Sequence, residues 1–357
     1  MGGCCQVSDR DAKSCLTPEN ILRVSGFPFR QIYEPRSRLS SAQVPAALGM
    51  ARLEVTENFQ GITFPGHLHT QESLQGALSF QFQDTDTLIA TYPKSGTTWM
   101  QEILTLLHNQ GDETMSRTVP NWARAPWLEQ FYFSEVMKML QAPRLITTHL
   151  PYHLLAPALK DTKVKVIYVA RNPKDIAVSF YHFHKMANFL PEFGSFDEFL
   201  NHFLEGSVSY GSWFDHVRGW TKQMTDNVFY ITYEEMWLNL RGSLERISAF
   251  LGRPLLAEQL NNTQKHCSFS RMKENPMVNY TTVSTDIMDH SKGPFMRKGK
   301  IGDWKNMFSE EQNRQFEEVF RTKMMGSALQ FIWEAPQDPE RLNAATEAKE
   351  VPCLSVA

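Results

Sequence analysis

The chain has 357 residues, of which 42% are hydrophobic and 21% charged, with a net charge of −3. This balance is typical of a globular protein, and it provides no overall positive field to attract nucleic acid. No stretch of about 18 apolar residues predicts a membrane span, and the N-terminus does not resemble a signal peptide. The five cysteines lack zinc or disulfide spacing, which predicts a reduced, cytoplasmic setting.

Two terminal segments differ in composition from the rest of the chain. Residues 1–49 show no periodic apolar face, and residues 335–357 carry Pro336, Pro339, Pro352 and several charges. Both segments predict disordered tails around one domain at residues 50–334. Lipidation at Gly2, Cys4 or Cys5 stays open, although Gln6 departs from the myristoylation pattern.

Between these tails, strand patterns alternate with helix patterns. Strands are predicted at residues 88–91, 144–149, 163–170 and 228–232, and helices at 98–109, from 175 through 180, and at 243–251. This alternation predicts an α/β fold, with one domain built on a central parallel sheet flanked by helices. Ligands of such folds bind beyond the carboxyl ends of the strands, which is where the chain places Lys94, His149, Arg171 and Tyr233.

The connection between the first of these strands and its helix reads Tyr92-Pro93-Lys94-Ser95-Gly96-Thr97-Thr98-Trp99. A helix N-terminus offers unpaired N–H groups to an anion, to which Lys94 adds a full charge. Gly96 permits close backbone approach, and Thr97 and Thr98 supply hydroxyl donors. Because the lysine precedes the glycine, the loop is P-loop-like without being a Walker motif. It predicts a phosphate-like ligand.

The loop at residues 92–99 resembles the signature loop of the cytosolic sulfotransferases, and the resemblance covers about residues 59–333. It implies a PAPS-dependent enzyme that sulfates a hydroxyl of a small hydrophobic acceptor, such as a steroid, bile alcohol or phenol. Residues 213–220 and 231–235 are most similar to the hydroxysteroid-type branch. The family likeness also implies that the 5′-phosphosulfate of PAPS contacts Lys94, Ser95, Gly96, Thr97, Thr98 and Trp99.

The same resemblance implies the rest of the PAPS site. Arg171 and Ser179 match the family's residues at the 3′-phosphate, and so does the basic loop formed by Phe295, Met296, Arg297, Lys298 and Gly299. The adenine is expected beside Trp99, Tyr233 and a run in which Cys267 replaces the family's threonine. That run consists of Cys267, Ser268, Phe269, Ser270, Arg271 and Met272.

His149 matches the family's catalytic histidine. The resemblance implies an in-line transfer in which His149 takes the acceptor proton, Lys94 neutralises the leaving phosphate oxygen and Ser179 tunes Lys94. No metal is expected, because lysine and arginine can supply the positive charge. Phenol sulfotransferases commonly carry lysine where this chain has Thr147. The acceptor is expected in an apolar pocket lined by Trp122, Trp127, Tyr132 and Phe183.

Two other functions stay open at the level of the sequence. A P-loop small-molecule kinase is disfavoured by the lysine position and by the lack of a convincing carboxylate for Mg²⁺. A nucleotide-binding protein without catalysis is disfavoured because Lys94, His149 and Ser179 are all retained. The acceptor itself cannot be read from the fold.

A monomer or weak homodimer is expected. The run at residues 305–314 aligns with the segment through which many family members dimerise, but Glu310 replaces an apolar residue and Arg314 reverses a charge. In a symmetric interface each change occurs twice, so each effect is doubled.

A chain that begins at Met50 should match the full chain in melting temperature and in turnover. The missing segment offers no periodic apolar face, so its loss should remove little buried surface. Thermal unfolding and a sulfation assay on both proteins test this. A melting temperature lower by several degrees would show instead that residues 1–49 pack on the domain.

Overall fold

The computed structural model describes residues 55–223 and 225–336. The predicted N-terminal tail and residues 337–357 of the predicted C-terminal tail lie outside these ranges. The strands are β1 (Thr56–Phe59), β2 (Ile62–Pro65), β3 (Thr87–Thr91), β4 (Leu145–Thr148), β5 (Lys165–Ala170) and β6 (Val228–Thr232). Single 3₁₀ turns lie at His290–Lys292 and Asp303–Asn306.

The helices of the described residues include several of only one or two turns. They are α1 (Gln71–Leu78), α2 (Thr97–His108), α3 (Thr114–Thr118), α4 (Asn121–Arg124), α5 (Phe133–Met137), α6 (Tyr152–Leu159), α7 (Pro173–Met186), α8 (Phe196–Glu205), α9 (Trp213–Thr221), α10 (Tyr233–Leu238), α11 (Leu240–Phe250), α12 (Ala257–His266), α13 (Phe269–Glu274) and α14 (Glu310–Lys323). None of them has both the length and the apolar character that crossing a bilayer requires.

The central sheet has four parallel strands in the order β4-β3-β5-β6, and β1 and β2 form a separate antiparallel hairpin. The predicted α/β fold with a parallel sheet is confirmed. In the register, Ile89 of β3 lies opposite Thr147 of β4 and Ile167 of β5. The helix predicted at residues 243–251 begins three residues earlier, because the Asn239 side chain accepts a hydrogen bond from the Gly242 N–H and caps it.

Both faces of the sheet are covered. Leu88 and Ala90 of β3 pack into one apolar cluster, whereas Ile89, between them, packs into another with Ile167 and Ile231. Successive residues of a strand point to opposite faces, so a strand buried on both sides is apolar throughout. This explains the uninterrupted apolar runs in the sequence.

A buried ion pair holds the short helix α4 against α2. Arg124 Nη2 lies 2.7 Å from Glu102 Oε2, and the two side chains are only 3% and 1% exposed. The same guanidinium donates to Thr105 Oγ1 at 2.6 Å and to the Val119 carbonyl at 2.8 Å. The segment that carries Trp122 is thereby fixed to the helix that follows the anion loop.

Replacing Arg124 with Ala should lower the free energy of unfolding by about 3–5 kcal/mol, because Glu102 would be left as a buried, unpaired charge. The matched control is Arg117→Ala, which removes an exposed partner of Glu113 and should cost about 0–1 kcal/mol. Urea unfolding monitored by tryptophan fluorescence measures both. Equal losses in the two variants would contradict this account of the ion pair.

Candidate active site

A cavity of about 400 Å³ lies at the carboxyl edge of the parallel sheet. Lys94, His149, Arg171 and Tyr233 all line it, and each follows the end of a different strand by one to three residues. Parallel strands bring their carboxyl ends to the same edge, so residues far apart in sequence meet there. The sheet itself therefore assembles the predicted site.

The anion loop turns sharply between β3 and α2. Lys94 and Gly96 both adopt positive φ, at 68° and 98°, and no side chain caps the first turn of α2. A Cβ at residue 96 would lie 2.8 Å from Cδ2 of Tyr233. Glycine is therefore needed both for the turn and for the close approach of the tyrosine ring. Gly96, Thr97 and Thr98 line the cavity, and Ser95 is buried beside them.

The Lys94 ammonium lies between two aromatic rings, 4.1 Å from the centroid of Phe183 and 4.4 Å from that of Phe295. Burial, together with the nearby charges of Arg171 and Arg297, lowers the Lys94 pKa to about 7. Arg171 donates to the Lys94 carbonyl at 3.0 Å, and its guanidinium stacks 4.1 Å above Tyr233. This concentration of positive charge in a cavity suits an anionic ligand.

The basic loop closes the other side of the cavity. Arg297 and Lys298 both pair with Asp303, at 2.6 and 2.5 Å. Trp237 Nε1 donates to the Gly299 carbonyl at 2.9 Å. Gly299 has φ of 63°, and a Cβ there would lie 2.2 Å from the Phe269 ring. The ring thus rests directly on the glycine, which fixes the loop beside the aromatic residues.

The residues expected at the adenine are only partly brought together. Trp99 and Tyr233 meet edge to face with ring centroids 5.3 Å apart. Ser270 and Arg271 are exposed and do not line the cavity. The members of the predicted set that do line it are Trp99, Tyr233, Cys267, Ser268, Phe269 and Met272. Phe295 and Met296, which were predicted at the 3′-phosphate, line the cavity as well.

His149 is held in one tautomer by its surroundings. Its Nδ1 lies 2.8 Å from the Thr91 carbonyl oxygen, which can only accept a hydrogen bond. Nδ1 therefore carries the proton, and Nε2 is left with a lone pair on the ring that lines the cavity. Burial lowers the His149 pKa to about 4, and the charge of Lys94 contributes in the same direction. The imidazole is neutral near pH 7.

The residues expected in the acceptor pocket occupy two layers. Trp127 and Phe183 line the cavity, and the Trp127 ring centroid lies 6.2 Å from that of His149. Trp122 and Tyr132 do not line it; they pack behind Trp127 in a separate apolar cluster. Ser179 lines the cavity from α7.

Sequence reasoning missed several cavity-lining side chains in the loops. Tyr210 meets the His149 ring edge to face at 5.2 Å. It precedes Gly211 in a turn, and no motif marks it. Other cavity-lining residues that the sequence reasoning missed include Leu68, Gln130, Phe189, Leu190, Tyr280 and Met288. Thr147, by contrast, is buried within β4, where its hydroxyl donates to the Ala125 carbonyl at 2.8 Å.

Comparison with known proteins identifies the family. The protein-family model described as the sulfotransferase domain matches residues 84–328 of the chain. The chain belongs to the sulfotransferase family. It is 45% identical to human sulfotransferase 2B1 over 284 residues, covering 79% of this chain and 77% of that protein. It is 48% identical to dog sulfotransferase 1A1 over 269 residues, covering 73% of this chain and 90% of that protein.

Solved structures agree with this assignment. Mouse sulfotransferase SULT7A1 complexed with PAP has a TM-score of 0.63 and 33% identity, covering 77% of this chain and 96% of that chain. Retinol dehydratase in complex with androsterone and PAP has a TM-score of 0.67 and 26% identity, covering 78% of this chain and 92% of that chain. The prediction of a PAPS-dependent sulfotransferase is confirmed. The closer likeness of this sulfotransferase to the hydroxysteroid-type branch stays a prediction.

Proposed function

We propose that this sulfotransferase sulfates a hydroxyl group of a small hydrophobic acceptor, a steroid, bile alcohol or phenol, with His149 as the base. The observation that carries the proposal is the hydrogen bond from His149 Nδ1 to the Thr91 carbonyl, which leaves Nε2 able to take a proton. Complexes of one structural relative, retinol dehydratase, with androsterone and with retinol support a hydrophobic acceptor.

The cavity suits PAPS as the donor. Among the described residues, Ser95 Oγ, Trp99 Nε1 and Arg171 Nε are buried without a hydrogen-bond partner. A buried polar atom without a partner is costly, so these atoms favour a polar ligand. The residues that would hold PAPS are the loop at residues 94–99, Arg171, Ser179, the aromatic residues at the adenine and the basic loop at 295–299. When bound, PAPS supplies the activated sulfuryl group.

Each proposed role follows from position and charge. His149 Nε2 removes the proton of the acceptor hydroxyl and so strengthens the nucleophile. The Lys94 ammonium stabilises negative charge that develops on the leaving phosphate oxygen. Ser179, which also lines the cavity, tunes when Lys94 engages that oxygen. Trp127, Phe183 and the missed aromatic residues provide an apolar surface for the acceptor.

Thermal unfolding with PAP in the presence of EDTA tests the donor site. At a PAP concentration of about 100 Kd, stability should rise by about 2.7 kcal/mol without Mg²⁺. Assays with labelled PAPS, using androsterone and 2-naphthol as acceptors, should then give sulfated product. Stabilisation by ATP with Mg²⁺, but not by PAP, would instead support a kinase.

Replacing His149 with Ala should reduce turnover by roughly two to four orders of magnitude while leaving stabilisation by PAP intact. His153→Ala is the matched control, because His153 is an exposed histidine four residues further along the chain. Loss of turnover and of PAP stabilisation together in His149→Ala would indicate a structural histidine.

PAP binding should take up a proton at about pH 8, because anion binding raises the lowered Lys94 pKa and recharges an amine that is mostly neutral there. At about pH 6 the free amine is already charged, so the uptake should be small. Calorimetry in buffers of different ionisation enthalpy measures this proton exchange.

Lys94→Met is the control for that measurement and should abolish the proton uptake. The same variant should lose far more turnover than affinity for PAPS, since the leaving-group charge is absent from bound PAPS and grows in the transition state. Unchanged uptake in Lys94→Met would assign the titration to another group.

A further inference from the structure

Two buried side chains hold the backbone of His149 from opposite sides. Glu129 Oε1 accepts a hydrogen bond from the His149 N–H at 2.8 Å, and His216 Nε2 donates to the His149 carbonyl at 3.2 Å. We propose that Glu129 and His216 are positioning residues for sulfuryl transfer, which fix the base so that its Nε2 meets the acceptor. This inference rests on the proposed role of His149.

The two contacts replace missing sheet hydrogen bonds. Strand β4 ends at Thr148, and its paired register with β3 ends at the same residue. His149 therefore lies just beyond the ladder, where backbone groups have no strand partner. Glu129 and His216 supply partners there, and the His149 side chain makes a third contact with the end of β3. The ring is oriented by all three contacts together.

Glu129 is an unusual group to bury for packing alone. It is fully buried, and none of the ion pairs among the described residues includes it. Burial raises its pKa to about 7, against the hydrogen bonds from the His149 N–H and from the Thr148 hydroxyl. These two donors lie 2.8 and 2.9 Å from the carboxyl oxygens, and their hydrogen bonds offset part of the cost of burying the carboxyl group.

The backbone of Glu129 is itself braced. Its carbonyl accepts a hydrogen bond from Ser73 Oγ of α1 at 2.8 Å. The preceding Leu128 N–H donates to the Thr147 carbonyl of β4 at 2.8 Å. The carboxyl group therefore projects from a fixed segment toward His149, as a positioning role requires.

His216 is fixed on the other side. Because the His149 carbonyl can only accept, Nε2 of His216 carries the proton and Nδ1 accepts from the Tyr168 hydroxyl at 2.9 Å. The Tyr168 and His216 rings are stacked, with centroids 5.7 Å apart. Tyr168 belongs to β5, so the sheet also supports this second contact.

Two substitutions at Glu129 separate the effect of side-chain length from the effect of the carboxyl group. Glu129→Gln keeps the length and an oxygen acceptor, and should keep kcat within about threefold of wild type. Glu129→Asp keeps the carboxyl group but shortens the side chain by one methylene, and should lower kcat by about 10- to 100-fold, because a reacting group about 1 Å out of place loses rates of this size. Both should keep the melting shift produced by PAP.

The matched control is Asp86→Asn. Asp86 is a buried carboxylate at the opposite end of β3, hydrogen-bonded to Arg144 at 2.8 Å. Its loss should lower the melting temperature and leave kcat within about twofold, because it lies away from the reacting atoms. His216→Phe keeps a ring but removes the donor, so it should lower kcat with PAP stabilisation intact even if Glu129→Asp does not fold.

Repeating Glu129→Asp in the His149→Ala background tests whether Glu129 acts on turnover through His149. Turnover is measured with labelled PAPS, with androsterone and 2-naphthol as acceptors. The positioning role predicts no further loss, since the base to be positioned is gone. An equal loss in both backgrounds, or a kcat for Asp at or above that for Gln, would overturn the inference. Wild-type turnover in His149→Ala alone would overturn the proposed base instead.

Discussion

The hydrogen bond between His149 Nδ1 and the Thr91 carbonyl joins the ends of two neighbouring strands and sets the chemistry of the site. It fixes the tautomer, so the lone pair lies on Nε2. It depends on the parallel register of β3 and β4, which pairs Ala90 with Thr148. These residues immediately precede Thr91 and His149. A change of register by one residue would move His149 away from Thr91. The proton would then no longer be held on Nδ1, and Nε2 would no longer be fixed as the nitrogen with the lone pair.

Electrostatic preorganisation is the second constraint at the same edge. Lys94 is buried near Arg171 and Arg297, which makes its charged form costly in the free protein. Contacts with the Phe183 and Phe295 rings offset part of that cost. A bound anion would restore the charge. The cavity thus combines a neutral imidazole with an amine whose charge depends on its ligand, an arrangement suited to acid–base chemistry near neutral pH.

The sequence predicted much of the fold and the assembly of the site's central residues, for physical reasons that these residues illustrate. The strand that precedes Lys94 is apolar without interruption, and the loop after it needs glycine at residue 96, so both leave a local signal. The sequence around Trp122 and Tyr132 does not indicate which way their side chains point, since an aromatic residue in an irregular segment can face the cavity or the core. The structure packs both behind Trp127.

Long-range contacts account for what the sequence could not predict. Glu129 and His216 stand 20 and 67 residues away from His149 and belong to no recognised motif. Tyr210 reaches the same ring from a turn with φ of 69°. Their roles depend on how loops cross the carboxyl edge of the sheet, and tertiary packing rather than local propensity decides that path.

The most direct test of the central claim is the ¹⁵N chemical shift of the two His149 ring nitrogens near neutral pH, assigned by comparison with His149→Ala. The account predicts a neutral ring in which Nδ1 carries the proton and Nε2 shows the shift of an unprotonated nitrogen. A ring protonated on Nε2, or a doubly protonated imidazolium under the same conditions, would contradict the assignment of His149 as the base.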